Sequence, residues 1–162
     1  MKPIYQSLII PFLLLQGSLL AHCQVPCGIY NDAARIIQIQ EDFSTIQKAM
    51  TKIKELSQQQ DATSMNQLTR WIITKEDHAS KIQKVVSEYF LTQRIKTKTE
   101  SSEFDTYVKQ TTTLHQILVS AMKCKQTVDL GHVDEGLNQI KTFINLYFDT
   151  HGKDHIKQMS ES

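Results

Sequence analysis

The sequence contains little proline, and all of it lies near the start of the chain. Its three prolines are Pro3, Pro11 and Pro26. A proline inside a helix removes one backbone hydrogen bond and clashes with the preceding turn, so helix interiors avoid it. Beyond residue 26 no proline interrupts the chain, which is free to form long helices.

The sequence also lacks an excess of charge of either sign. It carries 18 lysines and arginines against 17 aspartates and glutamates, a formal net charge of +1. Nucleic acids and anionic membranes select strongly basic surfaces. We therefore predict no nucleic-acid partner and no stable membrane association of the processed chain. The most basic run, RIKTKTE at residues 94–100, is predicted to be a solvated loop.

Long apolar runs are missing except at the N-terminus. Residues 7–21, SLIIPFLLLQGSLLA, follow a short segment whose only charge is Lys2. The run is too short, and too interrupted by a proline and a glycine, for a membrane span. A charged start, an apolar middle and a small residue, Ala21, before the cut are typical of a secretory signal peptide. Residues 1–21 are therefore predicted to be removed, and residues 22–162 to be exported to the periplasm or the extracellular space. An uncleaved anchor is the alternative.

Cysteine is scarce, and its number is odd. In an exported protein the usual fate of a cysteine is a disulfide. Cys23, Cys27 and Cys124 cannot all be paired within one chain, so at least one thiol is left for another role. Cys124 lies in a predicted helix between two lysines, where we expect a partly buried apolar side chain rather than a metal ligand.

Four segments of the chain repeat apolar residues at steps of three and four, the spacing of an amphipathic helix. The first has Asn31 or Asp32 as its cap, since a short side-chain oxygen accepts from the free amides of the first turn. Almost no strand pattern is present. The segments run from about Ile36 to Ile53, Ser64 to Thr92, Phe104 to Met122 and Leu137 to Phe148.

The apolar residues of each segment predict its buried side, and we expect the single tryptophan and the methionines to be core residues. The buried stripe of the first segment is Ile36, Ile39, Phe43, Ile46, Met50 and Ile53. The stripes of the other three segments include Trp71, Ile72, Tyr89, Phe104, Val108, Met122 and Tyr147.

These segments predict an all-α fold. Four amphipathic helices with short connections bury their stripes most simply as an up-and-down four-helix bundle, here over residues 31–150. Residues 22–30 precede the bundle as an N-terminal metal-binding hook. Residues 151–162 form a polar C-terminal tail that we expect to be frayed.

The first residues after the predicted cut carry an unusual set of metal donors. Removal of the signal peptide gives His22 a free α-amine, which can chelate a metal together with the backbone amide of Cys23. The Cys23 thiolate closes a second ring, and a turn through Pro26 and Gly28 lets the Cys27 thiolate complete a plane. The His22 imidazole remains available above that plane.

This donor set favours a redox-active metal. Square-planar nitrogen and sulfur donors select nickel(II) or copper(II), whereas zinc prefers a tetrahedral set. Thiolates and a deprotonated amide are electron-rich, and they stabilise the higher oxidation state of the ion. The pattern therefore indicates a one-electron redox site.

The segment HCQVPCGIY, residues 22–30, resembles the N-terminal nickel hook of nickel-containing superoxide dismutases. The pattern of that family is His-Cys-x-x-Pro-Cys-Gly-x-Tyr, and every fixed position is filled here. The resemblance implies a nickel ion that cycles between Ni(II) and Ni(III) and converts superoxide to dioxygen and hydrogen peroxide. It also implies four-helix bundles assembled as a homohexamer.

The resemblance assigns roles to individual residues. His22 resembles the histidine whose α-amine binds nickel and whose imidazole binds axially in the oxidised state. Cys23 resembles the ligand that gives both its amide nitrogen and its thiolate, and Cys27 resembles the second thiolate. Tyr30 resembles the tyrosine that restricts access to the open face of the metal. The four form the predicted catalytic set, and the first three are the predicted nickel ligands.

The chain departs from the family at two places and resembles it at a third. Gln24 stands where some members have an aspartate. The run Ile36-Ile37-Gln38 stands where some have a glutamate that helps to orient the axial imidazole. His78 resembles a position where relatives carry arginine or histidine near the hook of a neighbouring subunit.

Two other interpretations of the N-terminus remain open from the sequence. One is a secreted helical binding module with a Cys23–Cys27 disulfide, which the nickel and free-thiol content of the purified protein would distinguish. The other is a lipoprotein with lipid on Cys23. His22 argues against the lipoprotein, because lipoprotein processing requires a small residue before the cysteine.

Overall fold

The computed structural model describes residues 30–161, apart from the side chain of Ser101. The predicted signal peptide and most of the predicted hook, residues 22–29, lie outside this range. The helices are α1 (Asp32–Leu56), α2 (Ala62–Lys84) with its continuation π1 (Val85–Arg94), α3 (Ser101–Gln126), α4 (Gly131–Tyr147) and α5 (Thr150–Ser160). No strand occurs in the described residues, which confirms the all-α prediction.

The first four α-helices form the predicted bundle. Each packs on the next along the chain, and α4 packs back on α1, which closes the ring. Within residues 30–161 no helix is long and apolar enough to cross a lipid bilayer. The predicted stripe of α1 is fully buried from Ile36 to Met50, whereas its last member, Ile53, is half-buried. The other large side chains of the core are Ile82, Val86, Phe90, Leu114, Ile117, Ile140 and Phe143.

The start of α1 adjoins the predicted hook, and its cap is a single residue. Asn31 is the cap, because its side-chain oxygen accepts from the backbone amide of Ala34 at 3.0 Å. Of the two predicted caps, Asp32 is therefore already inside the first helical turn. Its carboxylate is therefore not the capping group, and it contacts the neighbouring helices instead.

Part of the predicted core is on the surface instead. Ile72, Phe104, Val108 and Met122 are exposed. Ile72 follows the half-buried Trp71 and Met122 follows the buried Ala121, and successive residues are rotated by about 100° around an α-helix. In both pairs the second residue is therefore turned further from the axis than the first, and the periodicity alone did not separate the two.

The expectation for tryptophan and methionine was only partly right. Met50 is in the core, but Met65 is exposed and Trp71 is half-buried. Trp71 instead carries the ammonium of Lys48 over its ring, 5.9 Å from the ring centroid. An amphipathic indole at the edge of a bundle is compatible with this position, since one face packs and the other meets a cation.

The C-terminal segment is a helix, so the prediction of a frayed tail is wrong. Asp149 caps α5 by accepting from the amide of Gly152 at 2.8 Å. Ile156 is buried where α5 lies against α1. A short helix on the outside of a bundle needs only a narrow apolar row. In a largely polar sequence such a row is too short to be recognised as a helical pattern.

Candidate functional site

Tyr30 is the one predicted site residue within the described part of the chain. His22, Cys23 and Cys27 lie outside it. Tyr30 directly precedes α1 at one end of the bundle, and 43% of its surface is exposed. The structure therefore shows the point from which the predicted hook leaves the bundle, and the contacts that hold this point.

A cluster of four polar side chains holds the start of α1. We call it the Asp32 clamp, and its members are Asp32, Tyr89, Arg94 and Tyr147. Tyr89 donates its hydroxyl to Asp32 Oδ1 at 2.6 Å, and Tyr147 donates to Oδ2 at 2.8 Å. Arg94 donates from Nε to Oδ1 at 2.9 Å and from Nη2 to Oδ2 at 2.8 Å. Side chains from α1, π1 and α4 thus meet on one carboxylate.

The π-helix explains how two members of the clamp come from one segment. In an α-helix, residues five apart lie about 140° apart around the axis. A π-helix has the wider i→i+5 turn, and here the amide of Ile95 donates to the carbonyl of Phe90 at 2.9 Å. The wider turn lets Tyr89 and Arg94 reach the same carboxylate.

The charges of the clamp balance at neutral pH. Burial alone would raise the pKa of Asp32, but hydrogen bonds from Arg94, Tyr89 and Tyr147 outweigh it, and the pKa lies below its ordinary value. Burial and the hydrogen bond to Asp32 raise the pKa of Tyr147 to about 12 and shift that of Tyr89 in the same direction. The clamp is one anion, one cation and two neutral phenols.

The clamp also holds the ring of Tyr30. The guanidinium carbon of Arg94 lies 4.3 Å from the centroid of that ring. The ring of Tyr89 meets it edge-on, with centroids 5.9 Å apart. A cavity of about 410 Å³ opens beside these groups, and its lining includes Tyr30, Arg94, Phe148 and His155. Among residues 30–161, the end of the bundle therefore has both a held aromatic ring and open space next to it.

His78 is paired with a buried aspartate. His78 Nδ1 and Asp42 Oδ1 are 2.6 Å apart. Only 5% of Asp42 is exposed, and its Oδ2 has no hydrogen-bond partner within the described residues. Burial raises the pKa of this carboxyl, with the hydrogen bond from His78 opposing the rise. The pair lies ten residues along α1 from Asp32, about 15 Å at 1.5 Å per residue. A role of His78 at a neighbouring subunit's hook stays a prediction.

Cys124 is a packing residue, as predicted, and it is more deeply buried than expected. Its side chain is inaccessible to solvent, and burial raises the pKa of its thiol to about 11. Its backbone carbonyl accepts from Lys75 Nζ at 2.7 Å, near the end of α3. Across residues 30–161 no group of three or more histidine, cysteine, aspartate or glutamate side chains is arranged to hold a metal ion.

Sequence reasoning missed the clamp. It treated Asp32 as a possible cap, the two tyrosines as core, and Arg94 as the start of a solvated loop. Residues 96–100 are indeed exposed, but Arg94 is partly buried in its ion pair. One signal was present: with Asn31 available as the cap, an acidic residue next to it had no local partner.

Comparison with known proteins identifies the family. The sequence model of the family described as nickel-containing superoxide dismutase matches residues 18–151, most of the chain. No curated protein and no solved structure matches the chain significantly. The family match starts before His22 and ends in α5, so it spans both the predicted hook and the Asp32 clamp.

Proposed function

The chain belongs to the nickel-containing superoxide dismutase family, and from that premise we propose that its nickel is held by His22, Cys23 and Cys27 at a processed N-terminus. Membership makes the protein a nickel-dependent oxidoreductase that acts on superoxide. The proposal concerns where the metal is bound and which residues serve it.

The observation that carries the proposal is the position of the family match. It begins at residue 18 and runs through HCQVPCGIY. The chemistry of the donors fits, because an α-amine, an amide nitrogen and two thiolates suit nickel better than harder or tetrahedral ions. When bound, nickel supplies the Ni(II)/Ni(III) couple by which two superoxide anions and two protons become dioxygen and hydrogen peroxide.

The protein's own residues supply position and a suitable electrostatic environment. The Asp32 clamp fixes the residue from which the hook departs, and Tyr30 stands at the foot of the hook. The clamp carboxylate is neutralised by Arg94 at 2.8 Å. A bare carboxylate here would repel an anionic substrate, and the repulsion would be stronger at a partly desolvated site than in water. The pairing removes that repulsion.

Processing is part of the proposal. While the signal peptide is attached, the nitrogen of His22 belongs to a peptide bond and cannot act as an amine donor. Cleavage after Ala21 would create the donor and would place the mature enzyme outside the cytoplasm. Release of the exported protein and binding of nickel would then depend on the same hydrolysed bond.

A homohexamer is the assembly that we propose, following the family resemblance. Ile72 and Ile73 on α2 and Phe104, Val108 and Met122 on α3 are exposed apolar side chains. Exposed apolar surface of this kind is commonly buried between subunits. Light scattering coupled to size-exclusion chromatography measures the mass directly, and a monomer at micromolar concentration would contradict the proposed assembly.

The decisive experiment reads the N-terminus and the metal together. We expect the purified exported protein to begin at His22 by mass spectrometry, to contain nickel and to dismutate superoxide. Cys23→Ser and Cys27→Ser should lose nickel and activity while far-ultraviolet circular dichroism shows unchanged helix content. Cys124→Ala is the matched control, because its sulfur is buried in the core, and it should keep the metal.

Three outcomes would contradict the proposal. They are an active protein that begins at another residue, dismutation of superoxide without nickel, and a Cys23–Cys27 disulfide in the active protein. One alanine inserted between Ala21 and His22 is a further test, since a chain that starts at the added residue has lost the amine of His22. Full activity of that chain would also refute the mechanism.

The role of Tyr30 has its own test. Tyr30→Phe removes the hydroxyl but keeps the ring over Arg94, so we expect nickel to be retained and activity to fall modestly. Loss of nickel from Tyr30→Phe would instead assign the hydroxyl to assembly of the metal site. Metal content and dismutase rate, measured on the same sample, separate the two cases.

A further inference from the structure

We propose that Arg94 is a positioning residue of the nickel site, because its guanidinium joins the Asp32 carboxylate to the ring of Tyr30. The inference rests on the proposed function for its target, the hook at residues 22–30. It concerns a residue that the hook pattern does not contain and that lies 64 residues after Tyr30 in the chain.

The first step is the fixed plane of the guanidinium. Arg94 binds both oxygens of Asp32 through Nε and Nη2, at 2.9 and 2.8 Å. Such a two-point pair fixes orientation as well as distance, which a lysine ammonium does not. The side chains are 28% and 15% exposed, so water competes only partly for the pair.

The second step is the stacking of Tyr30 on that plane. The guanidinium carbon lies 4.3 Å from the ring centroid, well within cation–π range. One group therefore holds the residues on both sides of Asn31. Tyr30 follows Cys27 by three residues, a stretch that spans at most about 10 Å. A displaced Tyr30 would displace the second thiolate with it.

The third step is that the described residues leave open space on Arg94's side of the ring. Cavities of about 410 Å³ and about 320 Å³ both include Arg94 in their lining. With the guanidinium removed, the larger cavity, which Tyr30 also lines, would widen on this side of the ring, while the edge contact with Tyr89 would remain. Arg94 itself is well held, because it ends π1 and the next residue, Ile95, is buried.

The test uses Arg94→Gln and Arg94→Lys, with Arg35→Gln as the matched control. Arg35 lies on α1 with its guanidinium 5.5 Å from the ring centroid of Tyr89, and it donates to Gln38. The control therefore removes an arginine from the same end of the bundle and leaves the Arg94 contacts with Tyr30 and Asp32 in place.

Three measurements are made on the processed protein. In Arg94→Gln we expect faster hydrogen exchange without metal at the amides of Ala34 and Arg35, which donate to Asn31, and a changed absorption spectrum with nickel. We also expect nickel affinity to fall about tenfold, the lower end of the range for residues that orient metal ligands. Arg94→Lys should be intermediate in all three, and Arg35→Gln should match the parent protein.

The inference and the proposed function fail in distinguishable ways. If folded Arg94→Gln keeps the parent's nickel affinity and spectrum, Arg94 is not a positioning residue, although the proposed function stands. If the parent protein does not hold nickel at its N-terminus, the proposed function fails. Amide hydrogen exchange in the metal-free protein then shows whether Arg94 holds Tyr30 in place. Exchange equal to that of the parent protein would overturn the inference. Should Arg94→Gln not fold, Arg94→Lys takes its place in the same measurements.

Discussion

A close approach between two helices gives the sharpest prediction about stability. Gly136 is buried in the middle of α4 and faces the ring of Phe43 on α1. A Cβ atom added to Gly136 would lie 2.3 Å from Phe43 Cζ and 2.5 Å from Cε1. Ordinary contacts begin near 3.4 Å, so the ring would have to move by about 1 Å. Phe43 is fully buried, so its ring cannot move out into solvent without disturbing the core.

Two opposing effects decide whether Gly136→Ala raises or lowers the free energy of unfolding. Alanine is favoured over glycine inside a helix by about 1 kcal/mol. Overpacking a filled core costs roughly 1–3 kcal/mol, and contacts this short belong at the upper end. We therefore expect a net loss of about 2 kcal/mol in the free energy of unfolding. For a domain of this size, the melting temperature should fall by roughly 4–8 °C.

The assay is urea unfolding followed by circular dichroism at one protein concentration and one metal content, because assembly and metal both add apparent stability. Gly131→Ala is the matched control. It is the exposed first residue of α4, and its added Cβ would meet only the side chain of Asp129, at 3.3 Å. The control should change stability by no more than about 0.5 kcal/mol. If Gly136→Ala is as stable as Gly131→Ala, the helices are not packed as described.

Three further predictions concern titratable groups. Asp32 has a lowered pKa in the folded protein, so its stabilisation is complete above the ordinary aspartate pKa of about 3.9 and is lost as pH falls through the lowered value. Urea midpoints from about pH 2 to 6 should therefore depend less on pH in Asp32→Asn, and an identical pH dependence would exclude the clamp. Tyr147 has a pKa raised to about 12, so stability should fall as pH rises from about 10 toward that value. Ultraviolet absorbance of the phenolate should show two late-ionising phenols, Tyr89 and Tyr147, of which Tyr147→Phe removes one and Tyr107→Phe removes neither. Cys124 should resist a thiol reagent until the protein unfolds, in a Cys23→Ser/Cys27→Ser background, and rapid reaction of the native protein would contradict its burial.

Predictions from the sequence were most accurate where a pattern of residues was compatible with only one arrangement. In α1 the predicted row is buried in the core from Ile36 to Met50, and only its last member, Ile53, is half-buried. In α2 and α3 apolar residues stand side by side, as at Trp71 and Ile72, and only tertiary packing decides which of them turns inward. The hook could be proposed from the sequence because its predicted donors lie within six residues of one another, so no folding is needed to bring them together.

The Asp32 clamp could not be predicted by the same means. Its members are separated by 57 to 115 residues from Asp32 along the chain. Two of them depend on a π-helix, for which the sequence carries no established pattern. Tyr89 and Tyr147 also sit at positions with helical apolar spacing, and an aromatic residue there is interpreted as core unless its hydroxyl has a known partner.

The π-helix determines whether the structure tolerates a deletion or an insertion between Tyr89 and Arg94. Tyr89 and Arg94 stand five apart, and one extra backbone position per turn compensates for that separation. With one residue deleted between them they would stand four apart, which is the spacing of neighbours on an ordinary α-helix. A deletion there should therefore preserve their common direction, whereas an insertion should send the arginine away from its carboxylate. Homologous chains that keep this ion pair are expected to vary in length here in one direction only.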